Sequence, residues 1–323
     1  MSPLTDRRGA GVAVLGAAHI HLDDAAGVLR SHPDVRVRHL WDHDTERAER
    51  WADAVGAHPC TDLDSAVETA DVTGVLIYSE TSRHGELMTA AAERGLAVFV
   101  EKPLAASLVE AEAIPAALLA RARPWSTGFF VRYGDAFVRL REMVRGGAAG
   151  DVRRASVRVV HGGLDAGWFD RDYRWMREPA EGGGGFFDLV VHCLDLVTWV
   201  FGPFGRVVDV RLSPRGHHGT AVLRTASGVD VDVEAGWEAP APAIEMVVAG
   251  TTSVLTARGA DLFDGATLVA TGRPPGAGDA PRAWLDTLVG RRSRPLVMWD
   301  DARDCVVTVD VLRRRAAASR RGR

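Results

Sequence analysis

The stretch Gly11-Val12-Ala13-Val14-Leu15-Gly16, running on into Ala17-Ala18-His19-Ile20-His21, decides how the first third of the chain folds. A short apolar run closed by glycine reads as a buried strand, and the segment after it can be helical to about Leu29. The same alternation repeats downstream. Residues 35–41 read as a second strand, 45–55 as a charged helix, 74–78 as a buried strand, 86–94 as a helix and 97–100 as another strand. After Pro124, residues 125–133 read as the last strand of this region. Apolar strands alternating with helices predict a parallel, doubly wound sheet.

From Gly150 the texture changes. Residues 152–160, 207–212, 220–225, 229–235, 243–249 and 253–256 are β-rich runs separated by Gly, Ser or Pro turns, with few helices between them. That pattern predicts an α+β domain with a large, mostly antiparallel sheet. The expected fold class is α/β, with residues 1–126 as the doubly wound domain and 127–323 as the α+β domain. Residues 272–281 read as a Gly/Pro loop, and 300–315 as a helix before a solvated basic tail with Arg320, Arg321 and Arg323. An antiparallel sheet with helices on one face leaves its other face to be covered. Val208, Val210 and Leu212, and likewise Val229, Val231 and Val233, alternate with polar neighbours, so a homodimer or homotetramer packed through this sheet is expected.

Chemistry concentrates in residues 182–195, Gly182-Gly183-Gly184-Gly185-Phe186-Phe187-Asp188-Leu189-Val190-Val191-His192-Cys193-Leu194-Asp195. On a helix Asp188, His192 and Asp195 fall at i, i+4 and i+7, on one stripe that Trp199 extends. The other positions are mainly apolar, so the helix is expected to be buried, and buried ionisable groups must be paired or used. A His beside a carboxylate, opened by four glycines that let another molecule approach the backbone, has the makings of a proton-transfer site.

This run, together with Glu101-Lys102-Pro103 after a strand, resembles the glucose-fructose oxidoreductase / inositol dehydrogenase / MocA family over nearly the whole chain. The resemblance implies a Rossmann domain followed by a substrate domain. It also implies hydride transfer between a nicotinamide and a carbon bearing a hydroxyl or keto oxygen, on a sugar, amino sugar, cyclitol or sugar nucleotide. In that setting His192 would exchange the hydroxyl proton, Lys102 would stabilise charge on the oxygen, and Asp188 would orient the imidazole or bind a second hydroxyl. Asp195 reads as structural. Arg132, Tyr133, Trp168, Arg174, Trp175 and Arg177 are candidates for lining the substrate cleft. The Lys102-Pro103 bond is cis in some settings of this kind, which sequence does not show.

At the cofactor end only the first glycine of a G-x-G-x-x-G survives. Gly16 is followed by Ala18, His19, Ile20 and, in place of the third glycine, His21. Asp42, just past the second strand, can bond the adenosine ribose hydroxyls and would repel a 2′-phosphate; with no adjacent Arg to compensate, NAD is favoured over NADP. Two histidines without a third ligand nearby argue against a metal at His19 and His21, and pyrophosphate or substrate is the expected contact. The segment Ser79-Glu80-Thr81-Ser82-Arg83-His84 loosely matches the family's Thr-Pro-Asn-x-x-His. By resemblance Ser79, Thr81, His84 and Glu101 join Lys102 at the nicotinamide side, while Glu80 departs from the proline.

Composition sets the outer bounds. The 323 residues suit two domains, and 46% hydrophobic with 25% charged residues is ordinary for a soluble globular protein. A net charge of −4 gives no general attraction to nucleic acid or membrane. Cys60, Cys193 and Cys305 are too scattered for a zinc site and point to a reducing, cytoplasmic setting. Arg7-Arg8 precedes the first strand rather than an export signal, and no uninterrupted apolar run reaches the roughly 20 residues of a membrane span. The Ala, Arg and Gly bias suits a GC-rich genome, where such enzymes often serve secondary metabolism. Two other readings stand beside a dehydrogenase. One is a non-catalytic NAD-binding ligand sensor, the other a glycosidase using tightly held NAD.

Overall fold

A computed structural model describes residues 9–68, 70–114, 124–294 and 296–321. Arg7, Arg8 and Arg323 lie outside the described residues, as do the side chains of Arg320 and Arg321. The chain forms two compact units. One holds the described residues up to Gly128 together with Ala277–Trp299; the other holds Phe129–Gly276 and the chain from Asp300 on.

In the first unit the apolar runs become strands β1 (Ala10–Leu15), β2 (Val35–Trp41), β3 (His58–Cys60), β4 (Val72–Ile77), β5 (Ala97–Val100) and β6 (Trp125–Thr127). They form one parallel sheet in the order β3-β2-β1-β4-β5-β6. The order reverses between β1 and β4, so the carboxyl ends of those strands are where a ligand crevice opens in such a sheet. Helix Thr45–Val55 starts where the Asp44 side chain accepts from the Arg47 N–H, and stops at Gly56 in the left-handed region with φ 74°. Residues 125–133 are not one strand. β6 stops at Thr127 and Phe130–Tyr133 is a 3₁₀ turn, because Gly128 runs against the Glu101 side chain, where a Cβ would lie 2.4 Å from Oε2. The expected 272–281 loop likewise gives way to a helix, Asp279–Leu288, with Pro281 in its first turn, where a missing N–H costs nothing.

In the second unit eight strands form one sheet in the order β14-β13-β12-β11-β7-β10-β9-β8. They are β7 (Val152–Val160), β8 (Phe204–Leu212), β9 (His218–Thr225), β10 (Asp230–Gly236), β11 (Ala243–Gly250), β12 (Val254–Arg258), β13 (Asp261–Asp264) and β14 (Thr267–Thr271). Every pairing is antiparallel except β10 with β7. Helix Gly185–Phe201 lies on β10, β7 and β9, and helix Asp135–Arg145 on β12, β13 and β14. Period-2 alternation sends Val157, Val159, Leu223, Val231, Val233, Met246 and Leu255 to the covered face, where all are buried.

The apolar residues expected to face a partner subunit are therefore largely covered within the unit. Val210, Val229, Val231 and Val233 are buried within the unit, although Val208 is partly exposed. The opposite face carries cross-strand ion pairs, Arg154–Asp232, Arg158–Glu234 and Arg224–Asp230. Run length argues against membrane insertion, yet Pro179–Phe201 is long enough to span and contains an 18-residue window with a mean hydropathy of 1.5. With 78% of its apolar 18-residue window buried inside the protein, and Glu181, Asp188, His192 and Asp195 along the stretch, it is a core helix.

Candidate cofactor and active site

The loop after β1 is built against its own sheet. Gly16 has φ 83°, and a Cβ there would sit 2.6 Å from Ser79, so only glycine fits the close approach to the loop after β4. The Gly16 N–H donates to the Trp41 carbonyl at 2.6 Å, and those of Ala18 and His19 to the Tyr78 carbonyl at 2.9 and 2.8 Å. The Ala17 N–H donates to Asp42 Oδ2 at 2.7 Å. The ends of β1, β2 and β4 are thus tied together, which brings Gly16, Ala18, His19, Asp42 and Ser79 to one edge; Ile20 follows on the same loop.

Asp42 is not without an arginine. Arg47 Nε and Nη2 donate to its two oxygens at 2.9 and 2.8 Å, and Nη2 also donates to Glu80 Oε1 at 2.9 Å. The expectation of no compensating Arg fails because the first turn of helix Thr45–Val55 folds position i+5 back over position i. Burial works to lower the Arg47 pKa, but Asp42 and Glu80 outweigh it and the net shift is upward. Arg47 is a site residue that sequence reading missed; its spacing from Asp42 was the available signal.

Across β4 and β5, Thr81 opens a short 3₁₀ turn and His84 follows it; both are buried. His84 Nδ1–H donates to the Pro103 carbonyl at 2.9 Å, joining this loop to Lys102-Pro103, whose peptide bond is cis. Burial pushes the His84 imidazole down to about 4, against the opposing pull of the Pro103 hydrogen bond. The Glu101 carboxylate accepts from the Lys102 N–H at 3.0 Å, and His21 Nδ1 lies 3.3 Å from it. Lys102 itself is buried. The third ligand-type group that the two histidines lacked in sequence is Glu101, and the three offer atoms within 4.8 Å of one another. His19 Nδ1, however, accepts from the His21 N–H at 3.2 Å, which leaves the neutral ring's proton on Nε2, facing Glu101. In that tautomer His19 offers a donor there, not a lone pair. Tyr78 is also buried beside this group, with its hydroxyl pKa raised by burial and then by Glu101 and Asp24.

In the second unit the predicted stripe is real. Asp188, His192 and Asp195 lie on helix Gly185–Phe201 at 5%, 1% and 1% exposure. Asp188 Oδ2 accepts from Trp237 Nε1 at 3.2 Å, and the His192 ring meets Phe130 edge-on with centroids 4.7 Å apart. Trp237 stacks on Phe169, with His161 and His217 alongside, so an aromatic wall leads up to the Asp188 carboxylate. Nothing in the sequence marked Trp237 as its partner. The four glycines serve the protein's own packing in part: a Cβ on Gly183 would lie 2.2 Å from the Met176 carbonyl, and one on Gly185 2.4 Å from the His217 carbonyl. Around Gly184 there is open space.

The expected cleft residues separate. Arg132 is buried and engaged within the protein, with Nε 2.8 Å from Asp195 Oδ2 and Nη1 3.1 Å from Asp301. Burial raises the Asp195 pKa to about 6 even beside this guanidinium. Tyr133 is buried in the same 3₁₀ turn, and Trp175 is half-buried. Trp168 is half-exposed against His161, at 4.9 Å between rings. Arg177 pairs with Asp170 at 2.7 Å and lines a cavity of about 660 Å³ with Gly184, Phe187, Arg215, His217 and Arg313.

Residues 10–129 match the family model described as an oxidoreductase family with an NAD-binding Rossmann fold, and residues 137–256 match the corresponding Gfo/Idh/MocA C-terminal domain. An inositol 2-dehydrogenase of Mycolicibacterium gilvum (strain PYR-GCK) is 28% identical over 242 residues, spanning 72% of this chain and 65% of that protein. A dTDP-3,4-didehydro-2,6-dideoxy-alpha-D-glucose 3-reductase of Streptomyces antibioticus is 29% identical over 59% of this chain and 56% of its own length. The chain thus spans 65% or less of these relatives. The crystal structure of GenD2 from gentamicin A biosynthesis in complex with NAD superposes with a TM-score of 0.81 at 26% identity, covering 99% of this chain and 98% of that one. The sheet order of the first unit, the Asp188-His192-Asp195 stripe on the buried helix of the second and these matches agree: the chain belongs to the Gfo/Idh/MocA family of oxidoreductases.

Proposed function

We propose that this protein is an NAD-dependent dehydrogenase or ketoreductase. It acts on a secondary alcohol or ketone of a sugar, amino sugar, cyclitol or sugar nucleotide. The observation that carries the reading is the buried Asp188–His192 stripe in a chain whose first unit has the NAD-binding fold. Relatives named as inositol dehydrogenase and deoxysugar reductase support the substrate classes.

The residues present fit the cofactor. Gly16 leaves the backbone bare at the end of β1, and two carboxylates to one guanidinium at Asp42, Glu80 and Arg47 suit neutral ribose hydroxyls. Bound NAD supplies the hydride acceptor or donor. His192 takes the substrate hydroxyl proton in oxidation and returns it in reduction, and Lys102 hydrogen-bonds a substrate oxygen as negative charge builds on it. Asp188, held by Trp237, fixes a substrate hydroxyl or the imidazole. Ser79, Thr81, His84 and Glu101 shape the nicotinamide side, and Trp168, Trp175 and Arg177 are proposed to contact substrate.

We place residues 1–126 as the dinucleotide-binding part and 127–323 as the substrate and assembly part, except that Ala277–Trp299 packs into the first unit, in a cytoplasmic protein whose three cysteines are free. Homodimer or homotetramer formation is proposed through edge strand β14, where Leu268 and Val269 are 52% and 46% exposed. The deciding assay incubates the protein with NAD and a panel of inositols, sugars, amino sugars and sugar nucleotides. Release of free NADH is expected; if every member gives none, in either direction, the dehydrogenase reading fails.

A further inference from the structure

We infer that Glu80 sets the choice between NAD and NADP by holding Arg47 on Asp42, an inference that rests on reading the first unit as a dinucleotide site. Arg47 stands in the first turn of helix Thr45–Val55, where the helix dipole disfavours a cation. It is nonetheless 6% exposed, and a buried guanidinium persists only where acceptors hold it. Those acceptors come from two different strand ends. Nε and one contact of Nη2 go to Asp42 after β2, and the other contact of Nη2 goes to Glu80 after β4.

The charge count decides what the corner can receive. Two carboxylates against one guanidinium leave one negative charge, with His43 beside both carboxylates at 3.3 and 3.9 Å. A 2′-phosphate brings a charge of roughly −1.5 to −2 and wants a guanidinium fork turned toward it. Ribose hydroxyls are neutral and donate readily to carboxylates. Asp42 alone would be neutralised by Arg47 and would discriminate weakly. Glu80 supplies the excess negative charge and keeps the Arg47 donors committed to protein. Its Oε2 is buried with no hydrogen-bond partner among the described residues, so the carboxylate is held for its charge more than for a full set of bonds.

The test is equilibrium binding of NADH and NADPH to the wild type, Glu80→Gln, and the double variant Glu80→Gln/Arg47→Gln, each first checked for an unchanged thermal unfolding midpoint. The wild type should favour NADH. Glu80→Gln should cut that preference by about tenfold, mainly by tightening NADPH, as loss of one nearby like charge predicts. Adding Arg47→Gln should return NADPH to its wild-type weakness, because the gain needs the released guanidinium. An unchanged ratio in folded Glu80→Gln, or a gain that survives loss of Arg47, overturns the inference. A wild type that favours NADPH or binds neither overturns instead the cofactor reading beneath it.

Discussion

Arg132 and Asp195 form a buried ion pair inside the second unit, with Nη2 2.6 Å from Oδ1 and each side chain no more than 2% exposed. Removing Arg132 strands the buried Asp195 carboxylate, and removing Asp195 leaves the buried guanidinium with Asp301 alone of the two carboxylates. Arg132→Ala or Asp195→Ala should therefore lower unfolding stability by about 3–5 kcal/mol, and the apolar pair Arg132→Met/Asp195→Leu should recover much of it. Urea unfolding of the three variants measures this. A large KM change in Arg132→Ala at unchanged stability would return Arg132 to the substrate cleft.

His84 gives a pH dependence with a definite sign. Its imidazole falls from 6.5 in the open chain to about 4 when folded, so between those values the unfolded state binds the extra proton. Stability from neutral His84 is complete above pH 6.5 and is lost as pH falls toward 4, by about 3 kcal/mol over that window. Denaturation midpoints for wild type and His84→Asn across pH 4–7 should differ in slope, the variant being flatter. Parallel slopes would sink the assignment.

Gly185→Ala should destabilise by about 1–3 kcal/mol, since its methyl meets the His217 carbonyl and the Trp237 ring, both fixed by packing. Gly184→Ala meets open space, and its cost comes from φ 100° alone. Calorimetric scans of the pair separate crowding from backbone strain; a milder effect at Gly185 than at Gly184 would reverse that assignment.

With a substrate identified from the panel, His192→Ala and Lys102→Ala should each lower kcat/KM by about 10²–10⁴. NADH affinity should change little in His192→Ala. Near-normal turnover in that variant would move the proton to another group, with His161 in the aromatic wall next to be tried.

Light scattering at micromolar concentration should show a dimer or tetramer, and Leu268→Lys/Val269→Lys should shift it toward monomer. A wild-type monomer would leave the β14 edge without a partner.

Strong periodic patterns were legible in the sequence. The runs that became β1, β2, β4, β5, β7 and β10, and the stripe Asp188-His192-Asp195, are long or apolar enough that tertiary packing only confirms them. Short strands such as β3, β13 and β14 carry too little alternation to stand out, and the helix holding Pro281 is masked by the proline that its first turn tolerates. At the site, sequence named Asp42 and Glu101 but not what they touch. Arg47 reaches Asp42 around a helix turn, His21 reaches Glu101 from 80 residues away, and Trp237 reaches Asp188 from just past the end of β10; only the fold brings such pairs together.

The helix Asp279–Leu288 gives the parallel sheet a late keystone. Trp284 is fully buried in the first unit, its Nε1 bonded to the Pro124 carbonyl at 2.9 Å and its ring against Phe99 and the bare backbone of Gly74. During synthesis the strands up to β6 emerge long before the residue that fills this socket. The nascent first unit must wait, open beside Gly74 and Phe99, while the whole eight-stranded sheet is made. A fragment ending at Gly128 should consequently be sticky and incomplete, and supplying the missing helix in trans should rescue its solubility.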